Sequence, residues 1–384
     1  MVQLNLIQHK QAIVTVTAFA VIYAAISWVN HYLFRTYAFD LGLYNHTIYD
    51  YFHFRFNDSM LIEPIHRQRN QLGDHFDLML MLVAPLQIVF GTYTLLVFQW
   101  AMILFGGIGV YAFFVFQKSK LAPWALLHFY SIWGILSALG FDYHSNVIAA
   151  MLVPWLFYFF LKQDKMKAIV TCIFIVICKE NMALWLSFIL LGMSWLRDFD
   201  ALKSFARIIS IVALLYFLMV VKFIMPLLVS PELEYIHLTY SQLGNGLTDI
   251  IQNLFTQPIK IINLLFTSPY GDMPESFGIK SQLHLYVMLS GGIMLFLRPQ
   301  FWVMLIPIFA QKLFHDDIIK WGICLQYSIE FVPIICIGTF YVIHHLSCNQ
   351  HLKISLGILF IISSTLLSYY SIKTVYHNGT ILPH

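Results

Sequence analysis

The sequence predicts an all-α polytopic membrane protein of about 11 transmembrane helices, and three observations predict it. Of the 384 residues, 59% are hydrophobic and only 11% are charged, against about 45–50% and about 25% in soluble domains. Long apolar runs recur between short polar breaks. Aromatic residues make up 17%, which suits two interfacial belts where Trp and Tyr rings lie against headgroups. Lipid can cover that much apolar surface, and a soluble fold has nowhere to hide it. The net charge of +3, without a basic run, argues against nucleic acid as a partner. The five cysteines are scattered, and Cys172, Cys178 and Cys336 stand in or beside apolar segments. They read as small core residues rather than a disulfide or zinc framework.

The candidate spans are 11–33, 94–116, 122–140, 146–161, 167–178, 182–196, 206–229, 284–297, 301–313, 328–346 and 352–372. The first exceeds the roughly 7–15-residue apolar stretch of a cleaved signal, so it reads as a retained helix. The run from Phe76 to Phe90 contains Pro85 and ends at Gly91-Thr92. It is expected to be an interfacial or re-entrant helix and not a span. Segment 248–266 also reads as interfacial. Ile251, Leu254, Phe255, Ile262 and Leu265 recur at helical spacing, opposite Gln252, Asn253, Thr256 and Asn263. With no repeat and no appended soluble segment in sight, residues 1–384 read as one membrane domain. Its large outer segments are 34–76 and 230–283.

Sidedness follows from the short breaks. Lys118 and Lys120; Lys162, Lys165 and Lys167; Arg197, Lys203 and Arg207; Arg298; and Lys353 all fall on one side if the first helix runs outward. The positive-inside rule makes that side, and the N-terminus, cytoplasmic. Apart from Asp164, Asp198 and Asp200, every acidic residue then falls outward. Acids contribute little to orientation, so a polar working face on the outer (periplasmic) side of a bacterial inner membrane is the expected cause.

That face supplies the candidate residues. In the first outer segment, Asp40 opens an amphipathic stretch whose polar side carries His46, Asp50 and His53. Two readings of Asp40 stay open: a working carboxylate at a helix mouth, or an N-cap. For the histidines and Asp50, a wet helix face competes with a metal site. Asp74 and Asp77 are placed for helix starts, with His75 beside them. Arg67 and Arg69, just upstream, have the geometry for bidentate phosphate contact. Asp142 and His144 precede Ser145 and Asn146, which can cap the next helix. That leaves Asp142 and His144 for proton transfer or phosphate contact. Lys179 and Glu180 interrupt the apolar stretch 169–191. Intramembrane charges are costly and mark function by default, whereas a tight outer turn would let both snorkel. Lys222, near the end of its span, raises the same question. No phosphate-binding loop, dinucleotide fingerprint, zinc-protease or serine-hydrolase motif occurs.

The blocks FDLGLYN (39–45), GDHFDLMLMLVAPLQIVFGTYTLLVFQ (73–99), FDYHSN through KEN (141–181) and QYSIEFVPII (326–335) follow in one order. Together they resemble the bacterial membrane family known as domain of unknown function 2079, over about residues 20 to 340. The chain departs from that family's pattern at Asp77 and Leu78, where Ser-Pro is usual, at Ser145, where Pro is usual, and at Gln326, where His is usual. The family is similar in layout to the GT-C class of glycosyltransferases, which take sugar from a polyprenyl phosphate.

The resemblance implies that Asp40 is the essential loop acid. His75, Asp142, His144 and Glu180 would join it as catalytic residues, with Lys179, Arg67, Arg69, Asp74 and Lys222 binding substrate. The expected partners are membrane lipid, as a polyprenyl-phosphate sugar, and an acceptor the sequence does not name. No cofactor is indicated, and a divalent metal stays open. Two other readings compete: a transporter or flippase of a lipid-linked or small polar substrate, and a non-catalytic membrane scaffold.

Overall fold

A computed structural model describes residues 2–55, 71–228, 239–244, 247–270 and 278–377, and these are helical with connecting turns and no strand. The first helix, α1 (Val2–Tyr32), is 31 residues long, about 46 Å at 1.5 Å per residue. Its outward residues are apolar, with Ile13 and Val14 about two-thirds exposed. An aqueous surface would not carry that face, and hydrocarbon would.

Four helical stretches are long and apolar enough to cross a bilayer: Leu6–Tyr32, Met79–Phe116, Arg197–Leu228 and Gln350–Ile372. Two bent pairs raise the number to six if each is one span: Ala122–Ser131 with Trp133–Leu139, bent by 46°, and Ile318–Ser328 with Phe331–His345, bent by 69°. The expected count of 11 is not reproduced. Several of the expected spans are short apolar helices, such as Ser145–Leu161 and Glu180–Met193. A 14-residue helix is about 21 Å long, less than the roughly 30 Å hydrocarbon core. These helices are apolar because neighbours enclose them: Ser145–Leu161 is buried along almost its whole length.

The stretch expected to be interfacial, 76–90, forms short turns of helix. Met79–Val83, Ala84–Leu86 and Gln87–Phe90 run on to Gly91, whose φ of 54° and ψ of −131° turn the chain into the helix Thr94–Phe116. Glycine takes that backbone without a Cβ clash. Leu82, Ile88 and Val89 point outward and are mostly exposed. Segment 248–266 is two helices, Leu247–Thr256 and Pro258–Leu264. Pro258 has no N–H to continue the first, so it starts the second. Phe255 and Ile259 are exposed on this pair.

The basic breaks meet at one end of the bundle. Gln117 donates to Asp198 at 3.1 Å, and His345 lies 3.7 Å from the same carboxylate. Gln300 reaches the Trp195 carbonyl at 3.4 Å, and Gln8 reaches that of Ser119 at 3.4 Å. Within the bundle, several buried polar groups find backbone partners, as a low-dielectric interior favours. Tyr23 donates to the Tyr130 carbonyl at 2.6 Å, and His128 lies 2.9 Å from the Ser290 carbonyl. All five cysteines are free thiols.

Candidate functional site

At the opposite end lies a cavity of about 450 Å³. Its walls come from 39–44, 74–75, 141–146, 179–181, 308–320 and 326–330, segments far apart in sequence. Asp40, Asp74, His75, His144, Lys179 and Glu180 all line it.

Asp40 sits in the first turn of helix α2 (Ala38–Phe52), whose N-cap is Tyr37, with no side-chain cap bond. The capping reading of Asp40 therefore falls away. Its carboxylate is charge-coupled to His75, Lys179 and Asp74. Burial pushes its pKa up from the usual carboxylate value, while His75 and Lys179 pull it back down.

The loop Phe141–His144 fixes the entry to α2. Asp142, at a left-handed φ of 64°, accepts the Tyr37 N–H at 2.7 Å. Gln99 clamps the loop from both sides: its amide donates to the Asp142 carbonyl at 2.6 Å and accepts the His144 N–H at 2.9 Å. The Asp142 carboxyl is buried beside the cavity and is not part of its lining. Burial pushes its pKa up to about 7; the Tyr37 N–H opposes the shift and Asp40 adds to it. His144 stacks on Phe141, with ring centroids 4.8 Å apart. Burial, then the charges of Lys179 and His75, hold its pKa well below the ordinary histidine value.

The second cluster joins 75–76 to 179–180. Glu180 Oε2 accepts the Phe76 N–H at 3.1 Å, and Oε1 lies 3.3 Å from His75 Nδ1. His75 Nε2 is 3.2 Å from Lys179 Nζ. The imidazole thus stands between the Glu180 carboxylate, at ion-pair distance, and the Lys179 amine, giving a carboxylate–imidazole–amine series at the cavity wall. Lys179 is the extended N-cap and Glu180 the first residue of helix Glu180–Met193, and both approach His75.

Three expectations need correction. Ser145 and Asn146 were expected to cap the helix they open, yet neither does. Ser145 donates to Asp77, and Asn146 donates to Glu330 Oε1 at 2.8 Å. Burial pushes the Asp77 carboxyl up to about 7, with Ser145 opposing the shift. Two positions where the chain departs from the family pattern, Asp77 and Ser145, are thus each other's partners. Second, Lys222 is exposed on a π turn, Val220–Ile224, and does not line the cavity, whereas its neighbour Val221 does. Third, Asp142, expected as a catalytic residue beside Asp40, does not line the cavity. Of the two readings open for the polar side of α2, local contacts favour the wet helix face: His46 and Asp50 pair at 3.5 Å, and His53 Nδ1 lies 2.8 Å from the Tyr49 carbonyl. Arg67 and Arg69 lie outside the described residues. Among the described residues, no group of three His, Cys, Asp or Glu is arranged to hold a metal ion.

The cavity also contains groups that the sequence did not single out. Lys312 donates to the Gly322 carbonyl at 2.9 Å and to Ser328 at 3.3 Å. Lys320 Nζ is 2.8 Å from His315 Nε2, and Asp317 and Glu330 complete that wall. Lys312 and Glu330 are lone charges in apolar runs, as Lys179 and Glu180 are, and this is the signal by which a sequence shows such residues. His144 Nδ1, Asn146 Oδ1 and Gln326 Oε1 are buried and make no hydrogen bond among the described residues. Buried polar atoms are rarely left so, and these three line one cavity.

The model of the family described as a predicted membrane protein (DUF2079) matches residues 30–378. The chain belongs to that family. Among curated proteins, none matches it.

Proposed function

We propose that the chain is a GT-C-like glycosyltransferase that moves a sugar from a polyprenyl-phosphate donor to an acceptor at the non-cytoplasmic face. The observation that supports this reading is that Asp40 lines one cavity together with three amines, Lys179, Lys312 and Lys320. Glycosyl transfer needs both functions. An acceptor hydroxyl attacks the anomeric carbon and gives its proton to a carboxylate. The carbon–oxygen bond to phosphate breaks, and the charge that develops on the departing phosphate requires preorganised cations. In this scheme Asp40 is the base, Lys179 meets the leaving phosphate, and Glu180 holds His75 against Lys179. Asp142 is a positioning residue for the turn that carries Asp40. The orphaned amide oxygens of Asn146 and Gln326 suit the hydroxyls of a sugar. Basic breaks at the far end of the bundle support an outward-facing cavity by the positive-inside rule.

The test is sugar transfer from a polyprenyl-phosphate sugar by purified wild type and Asp40→Asn. The variant is expected to lose on the order of 10²-fold or more of the rate with unchanged folding. Equal rates would remove Asp40 from the reaction.

A flippase reading draws on one observation, the 69° break between Ile318–Ser328 and Phe331–His345 at the cavity. Interrupted helices beside a charged site are a transporter feature. In proteoliposomes, lipid-linked sugar crossing the bilayer without a new glycosidic bond would favour it.

A further inference from the structure

A second cavity, about 510 Å³, lies behind the first and shares its wall. Phe141 lines both, and Tyr37 packs edge-on against it with centroids 4.4 Å apart. This chamber is bounded by the end of α1 (Asn30), by Leu136–Gly140 and by Ser371 and Ile372 of the last helix. Its lining is mainly apolar and contains one formal charge, Arg35. Both flanking helices are candidate spans with largely outward apolar faces. Both lean on Ala122–Ser131 and Trp133–Leu139 between them, so the chamber sits at the lipid-facing seam they form. Next in sequence to the lining residues Arg35 and Ser371, Phe34 is 96% exposed and Tyr370 more than half exposed, as aromatic side chains at a bilayer interface are.

Arg35 is exposed, and among the described residues its guanidinium has no ion-pair partner. A guanidinium grips phosphate oxygens through two parallel N–H bonds. Its single positive charge matches a phosphodiester, which has one negative charge, better than a doubly charged phosphate monoester. Ser137 and Ser371, whose hydroxyls are hydrogen-bonded to each other at 3.3 Å inside the chamber, leave one O–H of the pair to donate to a headgroup oxygen.

We propose that this chamber binds one anionic phospholipid of the surrounding bilayer, its phosphodiester on Arg35 and its acyl chains along the seam between α1 and the last helix. The site is distinct from the cavity of Asp40 and stands whether or not that cavity transfers sugar.

The test is lipid-dependent thermal stability and native mass spectrometry of the delipidated full chain. The added lipid is phosphatidylglycerol, phosphatidylcholine or a polyprenyl phosphate. Wild type is expected to retain one phosphatidylglycerol and to melt several degrees higher with it than with phosphatidylcholine. Arg35→Gln should lose that difference at an unchanged melting temperature without lipid, because its side chain makes no bond among the described residues. Ser137→Leu, which fills the chamber, should lose it as well, and Asp40→Asn should keep it. Equal stabilisation by phosphatidylcholine, or a full response in Arg35→Gln, would overturn the proposal. Preferential retention of the polyprenyl phosphate would also overturn it, by making the chamber a site for the carrier lipid instead.

Discussion

The Asp142 carboxylate and the backbone N–H of Tyr37, 2.7 Å apart, tie the loop before one buried helix to the first turn of another. Through this bond residue 142 sets where α2 begins, and so where Asp40 points, although the two acids are about a hundred positions apart.

The first prediction follows from the ionisation of that carboxyl. Its pKa is raised to about 7 in the folded chain, against about 3.9 for an unperturbed aspartate. Between those values the folded state holds the proton more tightly than the unfolded state. The stability that this group contributes is therefore fully present below about pH 4 and is lost as pH rises through about 7. Asp77, also raised to about 7, contributes with the same sign. Melting temperature against pH should fall over this window. The fall should be shallower in Asp142→Asn, which keeps an oxygen for Tyr37, and flatter again with Asp77→Asn added. An unchanged slope in the double variant would refute the assignment.

The chain from Glu180 through His75 to Lys179 predicts a graded loss. His75→Ala removes the bridge and should lower sugar transfer on the order of 10²-fold. Glu180→Gln keeps an acceptor for the Phe76 N–H and should lose less, about tenfold, with the effect in kcat rather than KM. If both variants transferred at the wild-type rate, the chain would have no part in turnover.

Asp77 and Ser145 should be coupled energetically. Ser145→Ala leaves a buried carboxyl short of a donor and should cost about 1–3 kcal/mol. Asp77→Ala made on top of it should cost much less than it does alone, for an interaction energy of about 0.5–3 kcal/mol. Denaturation of the two single variants and the double variant measures it; strict additivity would mean the contact contributes nothing.

Gly107 gives a packing prediction. A Cβ there would lie 2.3 Å from the Tyr130 ring, and that ring is held by its hydroxyl bond to the Leu104 carbonyl at 2.7 Å. Gly107→Ala should destabilise by about 1–3 kcal/mol, read as a lower melting temperature with little effect on residual transfer at low temperature.

The membrane class was legible in the sequence because composition reports the solvent directly. The number of spans was not. Ser145–Leu161 is as apolar as a lipid-crossing helix because other helices cover it, and a hydropathy window cannot distinguish protein from lipid as the cover. Pieces of the site were legible for the opposite reason: Asp40, His75, His144, Lys179 and Glu180 are polar in apolar surroundings, where charge is expensive. Their partners were not legible. Ser145 bonded to Asp77, Asn146 to Glu330, and Lys222 turned outward by one π turn all depend on how distant segments dock. Lys312 and Glu330 carry the same signal as Lys179 and Glu180, a charge in an apolar run, and Glu330 stands within the block 326–335.

Phe141 lines both cavities described above, stacked on His144 on one side and met edge-on by Tyr37 on the other. Replacing that ring with a small side chain would therefore change the lining of both hollows at once.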